Sequence, residues 1–83
     1  MARIKLESIS KIEKERNTVH DEVTATYTVF YAGKEKYLQI DTYGKDGRAI
    51  PGKISQSFQF DKESARYLVE LFAKEFDLTF RIK

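Results

Sequence analysis

The sequence predicts a single α+β domain in which a curved antiparallel four-stranded sheet precedes one amphipathic helix. Three observations carry this prediction. Apolar and polar side chains alternate over several short segments before residue 60, and glycine and proline occur only between residues 33 and 52. An apolar repeat typical of a helix follows residue 61. Strands joined by turns pair side by side and a helix covers one face of such a sheet, so the predicted order is β-β-β-β-α.

The first segment, residues 3–15, alternates loosely between apolar and charged side chains. Ile4, Leu6 and Ile12 fall on one parity, as the side chains on one face of a strand do, whereas Ile9 breaks the pattern. A break of this kind is typical of a β-bulge or a change of face. We therefore predict a first strand here. A helix over the last residues of the segment is the alternative, because they are tolerable helix formers.

Three further strands have clearer patterns. They are predicted over residues 22–31, 35–43 and 53–60. The first of these is rich in Thr, Val, Tyr and Phe, which favour extended structure, and the last alternates apolar with polar residues. A short turn around Gly33 joins the first two as a hairpin, and a loop over residues 44–52 leads to the last.

An amphipathic helix is predicted after the sheet. Asp61 suits the N-cap position, and Glu63 in the first turn complements the helix dipole. The helix extends to about Phe76, and its predicted buried stripe consists of Ala65, Leu68, Val69, Phe72 and Phe76. Apolar residues alternate again over residues 78–83, which predicts a short last strand or an extended arm.

The size of the chain favours association with a second copy. The 83 residues have a mass of 9.7 kDa, so residues 1–83 form one domain. A folded chain of this mass should keep roughly 5,000 Å² of accessible surface and bury about 64% of the surface of the unfolded chain, which allows only a modest core. Tyr67 and Leu71 widen the apolar arc of the helix beyond what one small sheet covers. The sequence therefore predicts a homodimer formed through the helix, and core packing within one chain is the alternative.

The composition offers little for catalysis or metal binding. The chain has no cysteine, and its one histidine, His20, lies in a polar connection. It therefore lacks a thiol nucleophile and a histidine cluster, and the spacing of Gly44 and Gly47 does not match a phosphate-binding loop. We expect a non-catalytic protein without a cofactor. No apolar run is long enough to span a bilayer and no apolar leader opens the chain, so we expect no membrane span and a cytoplasmic location.

One face of the predicted sheet combines aromatic and basic side chains. Basic groups bind phosphates, and aromatic rings stack on unpaired bases. The net charge is only +2, so this chemistry requires the basic residues to gather on one face. The candidate nucleic-acid-binding residues are Lys34, Tyr37, Tyr43, Lys45, Arg48 and Lys53. The alternative is a small adaptor or phage-type inhibitor that docks on another protein through a sheet edge or through the apolar helix.

About half of the chain resembles a known family. The residues that carry the resemblance are Tyr37-Leu38-Gln39-Ile40-Asp41-Thr42-Tyr43, then Ile50-Pro51-Gly52-Lys53 closing a loop, then Asp61-Lys62-Glu63-Ser64 opening a helix. This part resembles the single-stranded-DNA-binding domain of the positive cofactor 4 transcriptional coactivator family and its bacterial and phage relatives. The resemblance implies a sheet plus helix, a homodimer formed through helix and strand, and a role in transcription or DNA processing.

The same resemblance implies roles for individual residues. Lys45, Arg48 and Lys53 match the basic loop and strand positions of the family. Tyr37 and Tyr43 would then stack on bases. Single-stranded DNA is the expected ligand, and RNA is the alternative nucleic acid.

Overall fold

Four strands and one helix make up the computed structural model, which describes residues 1–44 and 53–79. The elements are β1 (Ala2–Arg3), β2 (Ala25–Ala32), β3 (Glu35–Tyr43), β4 (Ile54–Phe60) and α1 (Lys62–Phe76), with a short 3-10 helix at Leu6–Ser8. The predicted α+β class and the β-β-β-β-α order are confirmed.

The sheet is mixed, with the strand order β1-β4-β3-β2. β2 and β4 both pair with β3 in an antiparallel manner. β1 instead runs parallel to β4, with Ala2 opposite Phe58. The antiparallel arrangement that the sequence predicts therefore holds for three of the strands. The long segment between β1 and β2 allows the chain to return in either direction, which a tight hairpin would not.

A first strand is present, but its predicted bounds, residues 3–15, were wrong. Only Ala2–Arg3 pairs as a strand, and the chain has no helix or strand between the 3-10 turn and β2. The helical alternative for the end of this segment is also absent. Its apolar residues are too sparse to cover either a sheet face or a helix face. Ile4, Leu6 and Ile9 are half-buried, whereas Ile12 is exposed.

The other boundaries agree closely with the sequence pattern. β3 has the predicted bounds, and Gly33 adopts a φ of 66° in the turn before it, where glycine is unstrained. Asp61 is the N-cap of α1: its carboxylate accepts a hydrogen bond from the Ser64 backbone N–H at 2.9 Å, and the Ser64 hydroxyl accepts one from the Asp61 N–H at 2.9 Å. The helix ends at Asp77, which takes a left-handed conformation. The predicted last strand is not formed at residues 78–79, and residues 80–83 lie outside the described residues.

The packing of α1 departs from the prediction. Among the described residues no hydrophobic side chain is fully buried. Ser64, Leu68 and Leu71 lie on the more buried side of the helix, whereas Phe72 is 50% exposed and Phe76 is 71% exposed. The predicted buried stripe is therefore largely uncovered.

The course of the chain explains this difference. α1 contacts the sheet mainly at β4. Its last turns instead border residues 9–11, with an ion pair of 3.8 Å between Lys11 Nζ and Glu75. The first part of the helix thus contacts the sheet at β4, and its last turns lie beside residues 9–11.

Candidate nucleic-acid interface

One face of the sheet carries most of the polar and aromatic side chains, and we call it the polar face. Alternation along the strands, together with the observed pairing, assigns its members. They are Arg3 on β1, Thr26, Thr28 and Phe30 on β2, Glu35, Tyr37, Gln39, Asp41 and Tyr43 on β3, and Ser57 and Gln59 on β4. The hydrogen bonds and ring contacts described next join residues of all four strands and agree with this assignment.

A chain of hydrogen bonds crosses the middle of the polar face. The Asp41 carboxylate accepts hydrogen bonds from the Ser57 hydroxyl and, at 2.9 Å, from the Gln39 side-chain amide. Gln39 in turn accepts one at 2.8 Å from the amide of Gln59. Asp41 is 7% exposed and Ser57 is 4% exposed. The carboxylate is therefore satisfied inside the sheet and presents little of its charge to solvent.

Three side chains form a row beside this network. The rings of Phe30 and Tyr37 stack with centroids 5.7 Å apart and planes inclined by 25°. The guanidinium carbon of Arg3 lies 5.1 Å from the centroid of Tyr37, within the range of a cation–π interaction. Arg3 also approaches the Asp61 carboxylate at 3.8 Å, and its side chain remains 58% exposed. We call Arg3, Tyr37 and Phe30 the stacked row.

Tyr43 lies near the far end of the same face. Its hydroxyl shares a hydrogen bond of 2.8 Å with the hydroxyl of Thr26 on the neighbouring strand. A β-bulge falls between Thr42 and Tyr43, where Tyr43 pairs with Ile54. Bulges turn side chains and increase the local twist, so this end of the sheet differs in shape from the end that carries the stacked row.

The structure separates the predicted site residues into two groups. Tyr37 and Lys34 belong to the hairpin end, and Tyr43 and Lys53 belong to the opposite end. The nine-residue separation of Lys34 and Tyr43 along β3 corresponds to about 30 Å of extended chain. Both lysines are exposed. Lys45 and Arg48 lie outside the described residues.

Arg3, Phe30, Gln39 and Gln59 were not among the predicted site residues. Phe30 could have been found from the sequence, because a turn at residues 33–34 places it opposite Tyr37. Gln39 and Gln59 share the parity of Tyr37, so their place on this face was also visible. Arg3 could not be found in this way, because its position depends on the parallel pairing of β1 with β4.

Comparisons with protein-family models, with curated proteins and with solved structures gave no match. Across residues 1–44 and 53–79, no helix has the length and apolar character needed to cross a membrane. In the same part of the chain no three acidic or histidine side chains converge as metal ligands.

Proposed function

We propose that the protein is a non-catalytic single-stranded nucleic-acid-binding protein and that the polar face is its binding surface. The observation that carries this proposal is the stacked row. It offers a guanidinium group and an aromatic ring that both reach solvent, since Arg3 is 58% exposed and Phe30 is 36% exposed. Unpaired bases stack on aromatic rings and on arginine planes, and each such contact contributes about 1–3 kcal/mol.

The charge distribution around the stacked row is compatible with a polyanion. Asp41, the acidic residue at the centre of the face, is buried and accepts two hydrogen bonds. Asp61 is engaged by Arg3 and by the helix N-terminus. Thr28 and Gln59 add uncharged groups that can bond to bases or sugars. Among the described residues of this face, a phosphate backbone following β3 would therefore meet one exposed carboxylate, that of Glu35 at the hairpin end.

Single strands should bind more tightly than duplexes. The bases of a duplex are already stacked on one another, so they cannot lie against Arg3 or Phe30 without being unpaired. Lys34 and Lys53, at the two ends of β3, are suited to contact phosphates of a strand that runs along the face. Single-stranded DNA is the proposed ligand, and RNA is tested beside it.

We propose further that the working form is a homodimer. The chain exposes 7971 Å², about 3,000 Å² more than the roughly 5,000 Å² typical of a folded protein of this mass. Its radius of gyration of 15.2 Å likewise exceeds the roughly 12 Å typical of a domain of this length. Burying apolar surface against a second copy would supply the core that one chain lacks.

The resemblance of residues 36–72 to the positive cofactor 4 family supports a role in transcription or DNA processing. The proposed role is coactivator-like regulation of transcription through binding of exposed single strands.

The test is a fluorescence polarisation titration of the full chain with labelled single-stranded DNA, RNA and duplex DNA at two salt concentrations. We expect single-stranded DNA to bind more tightly than duplex DNA, and the affinity to fall as salt rises. RNA that binds as tightly as DNA would extend the proposed ligand to single-stranded RNA. No single-strand affinity at low salt would overturn the proposal.

A second candidate function is docking on another protein by strand addition. β2 lies at the edge of the sheet, and all eight of its residues are exposed. Within the described residues no strand pairs with its outer side, so its backbone groups could accept an extended peptide. Strand addition becomes the favoured function if the titration detects no nucleic-acid binding.

A further inference from the structure

The sheet face opposite the polar face is largely apolar and only partly covered, and we call it the apolar face. Its apolar members are Tyr27, Val29 and Tyr31 on β2, Leu38 and Ile40 on β3, and Phe58 and Phe60 on β4; Leu38 and Phe60 are half-buried, and Lys36, Thr42 and Gln56 lie at its two ends. Tyr27 is 69% exposed and Val29 is 47% exposed, and Ile40 on the central strand β3 is 36% exposed. Contiguous apolar patches of this kind on a soluble protein mark an interaction surface.

The helix carries a second uncovered apolar surface, which we call the helix stripe. It consists of Ala65, Val69, Phe72 and Phe76, spaced by four, three and four residues so that they share one side of α1. All four are exposed. The more buried side of α1 includes Ser64, Leu68 and Leu71, whereas Phe72 and Phe76 line an open apolar groove between the helix and residues 9–11 and stay largely exposed.

The two surfaces do not cover each other within one chain. α1 contacts the sheet mainly at β4, and its last turns border residues 9–11. The stripe spans about 16 Å along the helix, and the apolar face extends over three strands, about 10 Å across. The stripe is therefore long enough to cover the centre of the apolar face.

We propose that the helix stripe of each protomer packs on the apolar face of a second copy, so that a two-fold axis relates two identical helix-on-sheet contacts. This inference rests on the homodimer proposed above and deepens it by assigning the interface. A second copy is the occupant because it covers both surfaces at once, whereas a foreign partner would need to supply one cover for each. A two-fold arrangement also closes the assembly.

The surface area agrees with this arrangement. Obligate homodimers bury about 1,000–2,500 Å² per partner; the chain exposes about 3,000 Å² more than a typical folded protein of its mass, to which residues 10–24, all exposed and outside any helix or strand, also contribute. Two helix-on-sheet contacts per dimer would cover Val29, Ile40 and Phe58 with Phe72 and its neighbours. The polar face would stay open to solvent on the outer side of each sheet.

The test uses cysteine pairs, because the chain has no cysteine of its own. Phe72→Cys and Ile40→Cys are prepared separately, each as the full chain, and are then refolded either alone or as a mixture before mild oxidation. In the proposed dimer, residue 72 of one protomer faces residue 40 of the other. A disulfide-linked dimer should therefore form in the mixture, at several times the yield of either variant alone. Thr28→Cys, on the polar face, is mixed with Phe72→Cys as the matched control and should give no linked dimer.

The other outcomes each contradict the arrangement. Linkage of Phe72→Cys with itself would indicate helix-to-helix packing, and linkage of Ile40→Cys with itself would indicate that two apolar faces meet. A dimer by light scattering that gives no mixed disulfide would overturn the assignment but leave the dimer standing. A monomer mass for the wild-type chain up to near-millimolar concentration would overturn both. Nucleic-acid binding is measured separately, so its failure would not affect this result.

Discussion

The two faces of the sheet are built from alternate residues of the same strands. They differ in how far their side chains find partners or cover within the same chain. On the polar face the Asp41 carboxylate, the most buried charged group, has partners on its own strand and on β4. On the apolar face, Ile40 lies between Tyr27 and Phe58 and nothing in the described chain covers it fully. One chain therefore completes its polar network but leaves its hydrophobic surface open. The comparison indicates that the polar face needs no partner for stability, whereas the apolar face does.

The largest expected effect comes from placing a charge on the apolar face. Ile40→Asp puts a carboxylate where the proposed interface excludes water, and an unpaired buried charge is costly. We expect dimer affinity to fall on the order of 100-fold or more, or folding to fail. Light scattering together with circular dichroism measures both. Thr28→Asp, an exposed change on the other face, should leave the dimer intact, and an Ile40→Asp variant that stays dimeric would contradict the proposed interface.

The next effect concerns the stacked row on the polar face. Tyr37→Ala removes the ring against which Arg3 and Phe30 pack, so a base stacked on either of them should bind less tightly, by about 1–3 kcal/mol, which is about 5- to 150-fold. Tyr37→Phe keeps the ring and should bind like the wild type. Polarisation titration with one oligonucleotide at fixed salt compares them. Equal affinities of the Tyr37→Ala and wild-type proteins would show that the stacked row is not part of the binding surface.

A smaller effect on nucleic-acid binding is expected from the basic residues that the sequence predicts to contact phosphates. Replacing Lys45, Arg48 and Lys53 with Ala should weaken binding to all sequences about equally. Each phosphate contact contributes about 0.7 to the salt slope for single strands, so three should lower the slope by about 2. Over a fourfold rise in salt, the affinity of the triple variant should therefore fall by a factor about 16-fold smaller than the affinity of the wild type does. Lys11→Ala serves as the control, because Lys11 pairs with Glu75 on the helix. A triple variant with an unchanged slope would exclude these residues.

The same contrast shows which parts of the fold could be predicted from sequence. Patterns that depend on neighbours in the chain gave correct results: the bounds of β3, the Asp61 cap and the shared face of Tyr37 and Tyr43. Alternation and capping act over a few residues, so the local sequence contains the information.

Long-range features could not be predicted in this way. The position of Arg3 depends on β1 pairing in parallel with β4, across more than fifty residues of chain. The apolar repeat of α1 correctly predicts an amphipathic helix, but it does not say which surface covers it. Phe72 and Phe76 were assigned to a buried stripe because a core was assumed within one chain, and they are exposed because that stripe has no cover there.

The smallest expected effect lies at the junction of the sheet and the helix, where Asp61 caps α1. The hydrogen bond from the Ser64 backbone N–H lowers the pKa of Asp61 below its usual value of 3.8; partial burial opposes the shift, and the Ser64 hydroxyl and Arg3 add to it. Asp61→Ala should therefore cost about 0.5–2 kcal/mol of unfolding free energy at pH 7, and Asp61→Asn, which keeps an acceptor, should cost less.

The charge on Asp61 should make this stabilisation depend on pH. Because the folded pKa lies below the unfolded value, the difference between wild type and Asp61→Asn is fully present well above pH 3.8 and is lost as the pH falls through the lowered folded pKa. Urea unfolding at one fixed protein concentration, at pH 7 and at several values below 4, measures it, since the stability of a dimer depends on concentration. A difference that stays constant across this range would show that Asp61 acts through its hydrogen bonds alone and that its charge, including the contact with Arg3, contributes nothing to folding.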